Sequence, residues 1–169
     1  MLELDTRTLL VVTALVSMIS ALALIALWRA QLKGNGSGFW AAGMSCISIA
    51  SILISGRGSL PDFISLVIAN SLYVAGFSFF LRGICIFTGR SPLFFFDYIL
   101  TSLCFLLFYY FQYVEQDVNI RIIIISIAFT LTCFMIASIL LRDKHAPWRP
   151  AGIAVASDIT LFGLFHGMR

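Results

Sequence analysis

Residues 122–141 read IIIISIAFTLTCFMIASILL, a stretch of twenty positions without one charge. Its opening, Ile122-Ile123-Ile124-Ile125, is β-branched, and in water such a run favours a strand. Length argues the other way. A helix needs about 20 apolar residues to cross hydrocarbon. Inside lipid every backbone N–H and C=O must find its partner within the segment, which leaves helix. The span is therefore placed at 120–141. A short acidic loop, Glu115-Gln116-Asp117, precedes it. The basic loop from Arg142 to Pro150, with Lys144, His145 and Arg149, follows.

The same pattern continues outward. Further apolar runs lie at 8–28, 39–55, 63–86, 93–113 and 151–168. The fold class expected is all-α: an integral membrane bundle of about six transmembrane helices forming one domain. Composition agrees, with 60% hydrophobic residues, 11% charged residues and a mean hydropathy of +1.01. A soluble domain carries roughly 25% charged residues because its surface faces water. The last run is short and the most polar, with Asp158, Thr160 and His166. The net charge of +3 is not a nucleic-acid signal, since most basic residues lie in loops where they mark topology.

The breaks between runs have local causes. Gly34 to Gly38 forms a flexible linker, Gly56 to Asp62 a turn, and Thr88 to Pro92 a second break. Asp5 or Thr6 suits the cap of the first helix, and Pro61 suits the first turn of the third. Small residues recur on single faces, at Ala41, Ser45, Ser48 and Ser55 and at Ala69, Gly76 and Gly83. Such stripes let helix backbones approach closely in lipid. Phe94-Phe95-Phe96 and Tyr109, Tyr110 and Tyr113 mark both interfaces of the fourth span. Cys46, Cys85, Cys104 and Cys133 lack metal-type or CxxC spacing and read as small apolar packing residues.

Charge sets the expected orientation. Glu3 and Asp5 precede the first run and Arg29 and Lys33 follow it, the reverse of a cleavable signal peptide. With the N-terminus outside, seven basic residues fall on the inner side: Arg29, Lys33, Arg82, Arg90, Arg142, Lys144 and Arg149. Four fall outside: Arg7, Arg57, Arg121 and Arg169. Positive charge concentrates on the cytoplasmic side of membrane proteins.

Ionisable groups within spans are costly and need a partner or a task. Arg82, Asp97 and Asp158 all fall in the inner half of the bundle, and they form the candidate buried polar or switch cluster. Arg82 and Asp158 lie at matching depth, on the order of 10 Å below the inner surface at ~1.5 Å per residue. Arg82 is expected to pair with Asp158, or with Asp97 if helix order forbids the first pair. Asn70 reads first as an interhelical hydrogen bonder and second as a ligand contact. His166 is a secondary candidate for sensing pH, against the reading of a snorkelling polar tip. No phosphate-binding glycine fingerprint, HExxH or nucleophile elbow is present. No catalytic, cofactor or metal site is expected.

Several stretches together resemble a known family. They are Leu4-Asp5-Thr6-Arg7-Thr8-Leu9, Trp28-Arg29, Phe39-Trp40-Ala41-Ala42-Gly43, Leu60-Pro61-Asp62, Asn70, Arg82-Gly83, Phe87-Thr88-Gly89-Arg90 and Phe165-His166-Gly167-Met168-Arg169. They resemble the N-terminal membrane region of bacterial signalling proteins that end in a GGDEF diguanylate cyclase domain. The resemblance implies a sensory or regulatory module of the bacterial inner membrane in cyclic di-GMP signalling. Its cytoplasmic output domain, the catalytic part, is not in this sequence. The partners it implies are the lipid bilayer, a small hydrophobic or membrane-borne ligand, and an output domain or a homodimer partner, with no nucleic acid. The rival expectations are a small multi-pass transporter or channel, and a scaffolding membrane subunit.

Overall fold

The computed structural model describes residues 6–30, 36–92, 94–142 and 149–167. Each apolar run becomes a helix. α1 is Thr6–Ala30 and α2 is Ser37–Ser55. A π-helical stretch, Phe63–Ile68, continues directly into α3, Ala69–Phe87. α4 is Phe94–Tyr113, α5 is Val118–Arg142 and α6 is Arg149–Gly167. The expected all-α class is what the chain adopts. The isoleucine run at 122–125 lies inside α5, so the demand for backbone satisfaction overrides β propensity.

The helix ends follow from local chemistry. Gly36 (φ 71°) stands at the start of α2, and Gly89 (φ 72°) follows α3. Both are left-handed positions that glycine takes without steric cost. The Thr88 hydroxyl donates to the Ile84 and Cys85 carbonyls, covering acceptors left open at the end of α3. Asp117 caps α5: its Oδ1 accepts the backbone N–H of Asn119 at 2.7 Å and of Ile120 at 3.3 Å. The cap expected from Asp5 on α1 lies outside the described residues.

Five of these helices are long and apolar enough to cross a membrane: Arg7–Ala30, Ser37–Ser55, Phe63–Phe87, Phe95–Tyr113 and Val118–Arg142. α6 matches α2 in length at 19 residues, but Asp158 and its polar neighbours make it less apolar. The outer faces carry large bare side chains, such as Val16 and Ile19 on α1 (59% and 64% exposed) and Ile127 and Phe134 on α5. Continuous apolar surface of that extent is unstable in water. The chain is a membrane protein.

The packing order is nearly serial. α3 is the hub, against α2, α4 and α5. α1 packs on α2, and α6 packs on α5. Two apolar clusters hold the hub. One joins Leu81 and Cys85 of α3 to Ile136, Ile139 and Leu140 of α5, with Ala156 of α6. The other joins Val67 and Val74 to Cys104 and Phe108 of α4 and Phe129 of α5. The α2–α3 seam is made by glycine. A β-carbon on Gly43 would lie 2.8 Å from the Gly76 carbonyl oxygen, and one on Gly76 would lie 3.0 Å from the Gly43 carbonyl oxygen. Gly83 packs beneath the Trp40 indole and against Gly36. The repeat of Gly76 and Gly83 thus marks a close-approach face.

Candidate functional site

α3 carries Arg82 about one turn before its end, and α4 carries Asp97 in its first turn. The intervening turn folds the two helices side by side, so both side chains enter the same buried space. Arg82 Nε donates to Asp97 Oδ2 at 2.6 Å, with the side chains 8% and 1% exposed. This is a charge-assisted hydrogen bond, the strong kind. The carboxylate also lies where the α4 dipole favours negative charge. The guanidinium carbon sits 4.7 Å from the Tyr98 ring centre and 5.5 Å from that of Phe79. Two aromatic faces thereby cover a cation removed from water. Asp97 Oδ1 is buried with no hydrogen-bond partner among the described residues.

The expected partnership of Arg82 with Asp158 is therefore corrected. Equal depth is not equal direction: Arg82 faces α4, whereas α6 reaches the bundle through α5. The three candidate residues divide into a buried pair, Arg82–Asp97, and an exposed carboxylate, Asp158. Asp158 makes no ion pair with any described residue. Asn70 also differs from expectation. Its Nδ2 donates to the Leu66 carbonyl of its own helix at 2.8 Å. Leu66 belongs to the π-helical stretch, and Asn70 stands at its junction with α3, where the bonding pattern shifts and a nearby side-chain donor finds a carbonyl. The side chain of His166, like His145 in the basic loop, lies outside the described residues.

The serine hydroxyls of α2 are occupied with backbone. Ser45 donates to the Ala41 carbonyl and Ser51 to the Ile47 carbonyl. Ser51 also meets the Tyr73 hydroxyl at 2.6 Å. Ser48 reaches across to the Ala14 carbonyl of α1 at 2.9 Å, tying α1 to α2. These hydroxyls are packing groups. The cysteines are free thiols, with Cys85, Cys104 and Cys133 buried.

The feature that sequence reading missed is a groove of about 670 Å³ on the side of α3 away from α4. Phe77, Phe80, Ile84 and Phe87 of α3 form its floor. Trp40 and Leu24 stand on the α1–α2 side, and Cys133, Ile136 and Leu140 line the α5 side. Gly152, Val155 and Asp158 of α6 close the far wall. The helices that flank it, α1 and α6, share no packing contact among the described residues, so the groove opens sideways, toward lipid in a membrane. Among the described residues, Asp158 is the one charged residue in its lining. A partial signal existed in the sequence: Phe77, Phe80, Ile84 and Phe87 recur at helical spacing as a stripe that borders the glycine face.

The other end of the bundle has its own polar link. Gln112 of α4 approaches Asp62 Oδ2 at 3.5 Å and accepts a hydrogen bond from the Arg121 guanidinium of α5. Arg7 of α1 donates to the Arg57 carbonyl at 3.1 Å. These polar links tie α1 to the turn after α2, and α4 to α5 and Asp62, at that end.

Together these features define an all-α membrane bundle with a buried ion pair and a lateral groove. No family model, curated protein or solved structure matches the chain.

Proposed function

We propose that this chain is a membrane-embedded sensory or regulatory module, whose groove takes a membrane-borne ligand. α6 is read as a sixth span, the N-terminus as outside, and the membrane as the bacterial inner membrane. The observation that carries the proposal is the attachment of the groove's flanking helices. α1 is held by α2 and α6 by α5, with the groove between them. A ligand that touches both sides binds better when they are drawn together, and such differential affinity is what shifts a conformational equilibrium. The Arg82–Asp97 pair fixes α3 to α4, giving the moving helices a rigid frame. On the resemblance to GGDEF-linked membrane regions, the helix shift would be read by a cytoplasmic output domain or a partner chain.

The test is a distance measurement. Spin labels at Leu27 of α1 and Ile153 of α6, both exposed, are placed in a background with the four cysteines replaced by serine. The protein is studied in nanodiscs of synthetic phosphatidylethanolamine and phosphatidylglycerol, with and without a lipid extract of bacterial inner membranes. A shift toward shorter distances with the extract is expected. An unchanged distribution refutes the sensory reading.

A further inference from the structure

We infer that the groove is a site for a compact lipophilic organic cation, with Asp158 as its counter-charge. The inference rests on the reading of the groove as a ligand site, and it adds the chemical class of the ligand. Four observations carry it. First, the volume of about 670 Å³ falls within the range of sites that enclose drug-sized molecules. Second, apart from Asp158 and the Cys133 thiol the named walls are aromatic and aliphatic, so the occupant's body must be apolar.

Third, Asp158 stands nine residues into α6, about 13 Å along the helix from Arg149 at 1.5 Å per residue. A carboxylate at such depth is costly in a membrane unless it has a partner. The basic side chain that could have relieved it, Arg82, is engaged with Asp97. The remaining negative charge faces the groove, and a positive charge complements it. Fourth, Phe77 and Phe80 of the floor lie about two turns or more before the end of α3, at the deep level of the groove. Aromatic faces attract cations most strongly where water is excluded. The arrangement selects a cation whose charge is carried within an apolar body, since the carboxylate sits at the groove's deep end. A lipid headgroup would remain at the surface, near Trp40, Phe87 and Leu140.

The experiment uses two probes of one size and shape and opposite charge, radiolabelled tetraphenylphosphonium and tetraphenylborate. Binding to the full chain in detergent is measured by equilibrium dialysis. The cation is expected to bind saturably and the anion not at all. Asp158→Asn should weaken cation binding tenfold or more, and Asp158→Glu should retain most of it. Val155→Trp, which fills the groove and leaves the carboxylate in place, should also abolish binding. That variant keeps the proposal testable should Asp158→Asn fail to fold, as judged by circular dichroism.

Equal binding of both ions, cation binding indifferent to Asp158→Asn and Val155→Trp, or no binding at all would each overturn the inference. So would a second copy seated in the groove, seen as a dimer that the cation neither forms nor disperses. The two readings separate cleanly. Saturable cation binding with no change in the Leu27–Ile153 distance leaves the cation site standing and removes the sensor. A distance change with native lipid but no cation binding does the reverse.

Discussion

Replacing Arg82 by Met and Asp97 by Leu, singly and together, tests how the buried pair holds α3 to α4. The bond is 2.6 Å long and its carboxylate is 1% exposed, so neither charge can turn to water when its partner is removed. Breaking such a pair from one side costs about 3–5 kcal/mol. Arg82→Met also removes the stacking on Tyr98 and Phe79, about 0.5–2 kcal/mol more. The double variant restores an apolar interface of similar volume, and exchanges of that kind are neutral or stabilising by about 1–4 kcal/mol. A coupling energy above about 2 kcal/mol is therefore expected from the double-mutant cycle. The assay is unfolding by sodium dodecyl sulfate in mixed micelles, followed by circular dichroism. Coupling below about 1 kcal/mol, the range of exposed pairs, would refute the claim that this pair pins the two helices.

Three other outcomes follow from the geometry. Gly43→Ala places a β-carbon 2.8 Å from the Gly76 carbonyl oxygen, and the forced separation of α2 and α3 should cost about 1–3 kcal/mol in the same unfolding assay. Ser48→Ala removes the hydrogen bond to the Ala14 carbonyl and should cost only about 0.6 kcal/mol, the mean for interhelical hydrogen bonds in membranes; a loss as large as that of Gly43→Ala would show that α1 depends on one bond. Single cysteines at Arg90 and Arg149 should react with impermeant maleimide from the cytoplasmic face, and cysteines at Arg57 and Glu115 from the opposite face. Labelling of Arg90 and Arg149 from different faces would overturn the six-span topology.

What the sequence disclosed, and what it withheld, divides along one physical line. Length, hydropathy and turn residues are properties of single segments, and solvent alone acts on them. They fix helix identity even where local preference points elsewhere, as at Ile122–Ile125. The glycine face of α3 was legible too, because close approach demands glycine whatever the partner, and Gly76 duly meets Gly43. Azimuth between helices is different. Depth can be counted from a helix end, but the direction in which Arg82 points depends on how α3 packs against three neighbours. Two carboxylates met the depth condition, and the short α3–α4 turn gave one of them an advantage that hydropathy does not express. Asn70 escaped for a related reason. Its partner is a carbonyl of the π-helical stretch, and that change of pitch leaves no mark in the hydrophobic pattern.

The groove follows from the same preference of Arg82. Of the three charged residues singled out within the spans, Arg82, Asp97 and Asp158, a single pairing leaves one negative charge over. Had Arg82 turned to α6, the spare charge would have been Asp97, sealed at 1% exposure between α3 and α4 and reachable by no ligand. The pairing seen leaves Asp158 instead, on the peripheral helix and at the wall of a laterally open space. A residue kept only to pack α6 on α5 would be served by alanine or valine, as at Ala156 in the α5–α6 cluster. An aspartate that makes no ion pair with any described residue and lines an aromatic groove meets its electrostatic requirement through what enters that groove.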